Sequence, residues 1–209
     1  MSSPTTSEPR WRRLPEERPT QILHAALEVF GEFGLARARL EDIAKRAGVS
    51  KGTIYLYFPN KEELFREMVR STVAEAIEAG EQLPEGPSAK DQLVEYMRGY
   101  WQFVRSPAYA VIYRVAVSEL HNFPDLVQFY NTEVASRVNG AIARIIKRGT
   151  DAGEFRSIEP SVAARMLTSL FSTNAMWCWK RKFFSHINNR SDEQVFAELV
   201  DFFLAALRV

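Results

Sequence analysis

The sequence predicts an all-α protein of about nine helices, and two observations lead there. Apolar residues recur at three- and four-residue spacing from Ile22 to the C-terminus, the repeat of a helix with one buried face. Alternation of polar and apolar residues, the mark of a half-buried strand, is nearly absent.

The elements follow in chain order. Pro19 suits a first helical turn, and Ile22, Leu23, Ala26, Val29, Phe30 and Phe33 make one apolar stripe that Gly34 can close. Leu40, Ile43, Ala44 and Ala47 make a short second helix, with Gly48 as its stop. Ser50 caps a third helix over Lys51–Tyr57, which Pro59 ends. Asn60 followed by Glu63 starts a long fourth helix whose apolar face, from Leu64 to Ile77, runs on until Pro84, Gly86 and Pro87. Further helices are expected near 88–105, 109–120, 124–150, 160–184 and 191–207. The domain expectation is an arm over 1–18, a helix-turn-helix domain over 19–66, and a helical ligand-binding and dimerisation domain over 67–209.

Composition fixes a globular class and little else. The chain has 209 residues, 46% of them hydrophobic, enough for a substantial core. With 27 Lys and Arg against 26 Asp and Glu, net charge carries no nucleic-acid signature, so any such argument rests on where the charges sit. The only cysteine, Cys178, excludes an intramolecular disulfide and fits a reducing compartment. It reads as a small apolar filler beside Trp177 and Trp179 in preference to a reactive thiol. The polar, proline-bearing first twenty residues have no apolar run and so are neither a secretory signal nor an anchor. Charges such as Arg114, Glu119 and Arg165 interrupt every later candidate for a membrane helix. The expectation is a soluble, cytoplasmic protein.

Two short helices joined by a glycine-containing turn have the spacing of a DNA-reading pair, a pattern that alone is weak. The content of the second strengthens it. Ser50, Lys51, Gly52, Thr53, Tyr55, Tyr57 and Lys61 put hydroxyls, bare backbone and ammonium groups opposite the apolar pair Ile54 and Phe58. Lys51 and Lys61 can neutralise phosphates, Tyr57 can donate to one, and Gly52 admits close approach. Thr53 and Tyr55 are the candidate base readers, with Tyr55 packed into the small core as the alternative.

The run GVSKGTIYLYFPNKEELF, preceded by EDIAKRAGVS and ILHAALEVFGEFG, closely resembles the DNA-binding segment of the TetR family of bacterial regulators. The match covers roughly Thr20 to Val69. It implies a homodimeric repressor with one recognition helix per subunit, released from its operator by a small ligand. The sequence departs from the family where a hydroxyl pair usually opens the second helix: here stand Ala38 and Arg39. Losing the cap costs on the order of 1 kcal/mol, and Arg39 becomes the candidate for the lost phosphate contact. Arg10, Arg12, Arg13 and Arg18 could follow the DNA backbone, although Glu8, Glu16 and Glu17 partly cancel them and a solvated arm is the simpler reading.

Toward the C-terminus, the helix over 191–207 carries an apolar surface wider than one core needs, as does the helix over 160–184. A four-helix bundle with a second copy covers both, and Met166, Leu170, Val195, Leu199 and Phe203 are its candidate contacts. Between lie many large aromatics, most of them ordinary core. Imperfect packing among them suggests a cavity for an apolar or aromatic effector, with Tyr100, Trp101, Tyr113, His121, Phe171, Asn174 and Trp177 as candidate lining and Asn122 and Arg114 as further anchors.

An enzyme is the principal rival class. The sequence has no glycine-rich phosphate loop, no His-Glu-x-x-His and no paired cysteines, and His24, His121 and His186 stand far apart. Neither catalytic residues nor a metal or cofactor is expected. A helical interaction protein that does not bind DNA is the third reading.

Overall fold

The computed structural model describes residues 18–209. The expected arm, with Arg10, Arg12 and Arg13, lies outside the described residues except for Arg18. The described residues contain α-helices and short 3-10 and π segments, with no strand among them. They form two compact units, one ending at Phe65 and one comprising Arg66–Val209.

The first unit holds α1 (Arg18–Arg37), α2 (Leu40–Ala47), α3 (Lys51–Tyr57) and the start of α4 (Lys61–Glu81). Its core is the predicted stripe of α1, Ile22, Ala26, Val29 and Phe30, closed by Ile43, Ile54, Leu64 and Phe65, and the Phe30 and Phe65 rings meet edge to face at 5.7 Å. The α1 backbone breaks at Gly34, where φ is 78°. Gly48 ends α2 at φ 67°, its N–H reaching back to Ala44 and Lys45 carbonyls, so the chain turns sharply enough to start α3 three residues later. Ser50 then caps α3 by accepting from the Thr53 N–H at 3.1 Å. Asn60 accepts from the Glu63 N–H at 2.7 Å and opens α4.

The second unit contains α5 (Ala89–Val104), α6 (Pro107–Ser118), α7 (Pro124–Tyr130), α8 (Ser136–Asp151), α9 (Pro160–Trp179), α10 (Ser185–Asn188) and α11 (Asp192–Leu207). Serines 88, 106 and 191 cap α5, α6 and α11, the last in a reciprocal capping box with Gln194. The core gathers Leu93, Met97, Trp101, Ile112, Ile142, Leu167, Phe171 and Phe196 from α5, α6, α8, α9 and α11. Two differences from the sequence reading are local. The helix expected over 124–150 is present but carries a π turn at Asn131–Ala135 between α7 and α8. The helix expected over 160–184 stops at Trp179, because a 3-10 turn at Arg181–Phe183 and the four-residue α10 follow.

Candidate nucleic-acid interface and internal cavities

The α3 helix is anchored by one fully buried side chain, Ile54, and by Phe58 just after it. That anchorage turns Ser50, Lys51, Gly52, Tyr55 and Leu56 outward, with Thr53 and Tyr57 half-buried at the edges. Tyr55 is 43% exposed, so the core alternative for its ring falls away. Ser50 Oγ and Thr53 Oγ1 lie 2.8 Å apart, each steadying the other's hydroxyl.

Glu41 on α2 organises this surface. Lys51 Nζ sits 2.8 Å from Glu41 Oε1, and the Tyr55 hydroxyl donates to the same oxygen at 3.2 Å. The Lys51 ammonium also lies 5.7 Å from the centre of the Tyr55 ring. Hydrogen bonding from Lys51 holds the Glu41 carboxyl down at about 2, against an ordinary 4.5, and the same bond raises the Lys51 ammonium. Arg46 fixes α2 to α1 from another side, bridging Glu28 at 3.3 Å and Glu32 at 2.7 Å.

Arg39 stands at the start of α2 in extended conformation, exposed, with no side-chain cap on the helix, whereas Ala38 is buried. The sequence departure therefore leaves the α2 start uncapped and one guanidinium facing outward. Lys61 is more committed than expected: its Nζ donates to the Ala36 carbonyl at 2.7 Å and the Ala38 carbonyl at 3.3 Å, closing the link between α1 and α2. Two residues of this surface escaped sequence reasoning. Leu56 is 82% exposed, and its signal was its position, out of register with the buried pair at 54 and 58. Glu41 carried no signal, because an acidic residue in a first helical turn is ordinary dipole compensation.

The second unit holds a half-open cavity of about 310 Å³ lined by Tyr100, Tyr109, Tyr113, Tyr130, Ser172 and Thr173, with Phe103, Val134, Val138, Asn139 and others completing the wall. The Ser172 hydroxyl links the Tyr100 hydroxyl at 3.0 Å to the Tyr109 hydroxyl at 2.9 Å. Burial pushes the phenols of Tyr100, Tyr109 and Tyr130 above the usual range. A larger cavity of about 620 Å³ adjoins it across Tyr100, Phe103 and Val138, with Thr72, Glu75, Ala76 and Ile77 of α4 on its far wall.

Of the effector residues expected from sequence, the structure brings only Tyr100 and Tyr113 to these cavities. Trp101 and Phe171 are core: their rings meet edge to face at 6.0 Å, and Trp101 stacks on Phe196. His121, Asn122 and Arg114 are exposed and line neither cavity. Asn174 donates to the Leu170 carbonyl at 2.9 Å, and Trp177 packs against Phe184 and His186 at the end of α9, so both are corrected to structural roles. The lining that sequence reasoning missed comes from Tyr109, Tyr130 and the small hydroxyl residues of α9.

The expected dimer contacts also divide. Met166 is 56% exposed and Leu170 half-buried, both facing out from α9. Val195, Leu199 and Phe203 are corrected: all three are buried against their own subunit, and the outward apolar positions of α11 are Phe202 and the small residues Ala197, Ala205 and Ala206, with Val209 just beyond. Cys178 is half-buried, its thiol raised chiefly by burial. No cluster of metal-ligating side chains occurs among the described residues, and no described helix is long and apolar enough to cross a membrane.

Residues 22–68 match the family described as bacterial regulatory proteins, tetR family, and residues 91–209 match the AefR-like transcriptional repressor C-terminal domain. The fatty acid metabolism regulator protein of Bacillus subtilis is 40% identical over 83 residues, a stretch covering 38% of this chain but only 43% of that one. The regulator YfiR of the same organism, itself uncharacterized, is 26% identical over 148 residues, covering 69% of this chain and 71% of YfiR. Among solved structures, the Bacillus subtilis transcriptional regulator FadR in complex with stearoyl-CoA superposes with a TM-score of 0.74 at 22% identity, over 90% of this chain and 99% of that one, a likeness of fold. These relatives are regulators rather than enzymes. With one match spanning the helix-turn-helix and the other more than half of the sequence, the chain belongs to the TetR family of bacterial transcriptional regulators.

Proposed function

We propose that this chain is a ligand-responsive DNA-binding regulator, a cytoplasmic homodimer that represses from a palindromic operator and is released by a small effector. The carrying observation is the exposed face of α3, with the polar Ser50, Lys51 and Tyr55, the bare backbone of Gly52 and the apolar Leu56 outward on a helix held by the buried Ile54. Each subunit inserts α3 in a major groove, two half-sites about 34 Å apart. Lys51, Arg39, Ser50 and Tyr57 hold phosphates, Gly52 lets the backbone approach, and Lys61 fixes the start of α2. Thr53 and Tyr55 read base edges. Residues 19–66 are the DNA-reading domain in this reading, and 67–209 bind the effector and the second copy.

The effector enters the paired cavities between α4, α5, α6, α8 and α9. The FadR complex with stearoyl-CoA supports a small-molecule site on this fold. Because Thr72 to Ile77 of α4 form one wall, a ligand there bears on the helix whose first turn belongs to the DNA-reading unit. A coupling of about 1–3 kcal/mol, typical of such systems, changes operator affinity roughly 5- to 150-fold.

The test is retarded migration of the DNA upstream of the coding sequence. The double variant K51A/Y57F is expected to lose the specific complex while remaining a dimer by light scattering. Undiminished binding by that variant overturns the reading in favour of another surface.

A further inference from the structure

The smaller cavity has a composition that selects among effectors. Four phenols, three small hydroxyl side chains besides Ser172, and the Asn139 carboxamide line it, together with apolar groups and not one charged side chain. Asn139 is already engaged, its amide donating to the Ala135 carbonyl at 2.8 Å and its oxygen accepting from Thr168 at 3.1 Å. What faces a guest is therefore hydroxyl. The adjoining cavity adds two carboxylates, Glu75 and Glu95, and no Lys or Arg.

Resting on the effector reading above, we infer that the physiological ligand is an uncharged molecule with an apolar or aromatic body, whose carbonyl-type oxygen accepts hydrogen bonds from the Tyr113 hydroxyl and from the one hydroxyl hydrogen that the Tyr100–Ser172–Tyr109 chain leaves over. A carboxylate or phosphate entering this chamber would lose part of its water without meeting a cation, which disfavours the charged form. A neutral carbonyl loses far less and finds donors. Burial raises the phenols of Tyr100, Tyr109 and Tyr130, so these three present O–H groups rather than phenolates. The Tyr113 hydroxyl is the best placed to turn to a guest, since its partner Thr173 Oγ1 is 3.5 Å away, the outer limit of a hydrogen bond. The backbone agrees: the π turn at Asn131–Ala135 contributes Val134 and Ala135 to the wall, and such turns gather at functional sites. This ligand class differs in charge from the stearoyl-CoA held by FadR.

Three probes of matched size separate the terms: 4-phenylbutan-2-one, the hydrocarbon butylbenzene, and 4-phenylbutanoate. Calorimetric titration of the full-length dimer is expected to rank the ketone first, with the acid at least about tenfold weaker at pH 7.5. Tyr113→Phe, which leaves the ring in place, is expected to weaken the ketone about 3- to 10-fold and leave butylbenzene unchanged, as the loss of one hydrogen bond would. Ser172→Ala is expected to do the same, and Tyr113→Phe keeps the test sound if the buried serine variant folds poorly. An acid or stearoyl-CoA binding more tightly than the ketone overturns the inference, as does a ketone whose affinity ignores both variants. Operator release measured in the same samples separates the two readings. A ketone that binds as expected but leaves the DNA complex intact supports this ligand class while refuting ligand control.

Discussion

Glu41 accepts both an ion pair from Lys51 at 2.8 Å and a hydrogen bond from Tyr55 at 3.2 Å, so one acidic side chain on α2 sets the posture of two groups on α3. The pair is exposed, and exposed ion pairs contribute little to folding. Its consequence lies in the proposed recognition: in that reading Lys51 leaves Glu41 to reach a phosphate, and the carboxylate would repel the DNA backbone. Glu41→Gln is expected to tighten binding to unrelated DNA several-fold and to narrow the gap between operator and unrelated sequences. Fluorescence anisotropy with both duplexes measures this, and an unchanged affinity for unrelated DNA sinks the positioning role.

The same pair fixes a pH expectation. A carboxyl depressed to about 2 stays ionised well below its ordinary 4.5, and the raised Lys51 ammonium stays charged on the alkaline side. Any contribution linked to the lowered carboxyl is present above the ordinary value and is lost only as pH falls toward 2. Operator affinity of Glu41→Gln relative to the parent is therefore expected to be constant from pH 5.5 to 9. A ratio that varies within that window contradicts the geometry at Glu41.

The turn between α2 and α3 depends on Gly48, at φ 67°, with open space where a side chain would go. Only backbone conformation penalises a substitution there. Gly48→Ala is expected to cost about 1–2 kcal/mol in the stability of the first unit, and Gly48→Asn less, since asparagine tolerates the left-handed region. Ser50→Ala removes the cap on Thr53 N–H and is expected to cost about 1 kcal/mol. Denaturant unfolding followed by a probe in the first unit reads both. Equal losses for alanine and asparagine at position 48 would point to crowding instead.

What was legible in the sequence follows the range of the interactions. Ser50, Gly48, Asn60 and Ile54 act on neighbours a few residues away, so the sequence announces them. Cavity lining is a different problem. Tyr100 and Trp101 are adjacent on α5 and equally bulky, yet a helix turns about 100° per residue, so one faces the chamber and the other the core. Which arc meets empty space depends on α6, α8 and α9 packing around it, as with Ser172, a polar residue that the buried hydroxyl chain alone explains. On α11, Phe202 and Phe203 pose the same question. Outside the stripe of Gln194, Glu198 and Asp201 the helix is apolar over a wide arc, and periodicity cannot say which part of that arc the subunit keeps.

That division on α11 gives the sharpest mutational contrast. Phe202 is 66% exposed and Phe203 is buried, one residue apart. If Met166 and Phe202 meet a second copy, M166E/F202E is expected to yield folded monomers by light scattering, with helical content and unfolding midpoint near those expected of an intact subunit. Phe203→Ala removes a ring from the subunit's own core and is expected to cost about 3–5 kcal/mol. It lowers the unfolding midpoint before it changes the mass in solution. Operator binding is expected to follow dimer formation, since the proposed two half-sites need two recognition helices on one scaffold. A folded M166E/F202E protein that remains dimeric would remove this face from the interface and require another surface to bring the two α3 helices into register.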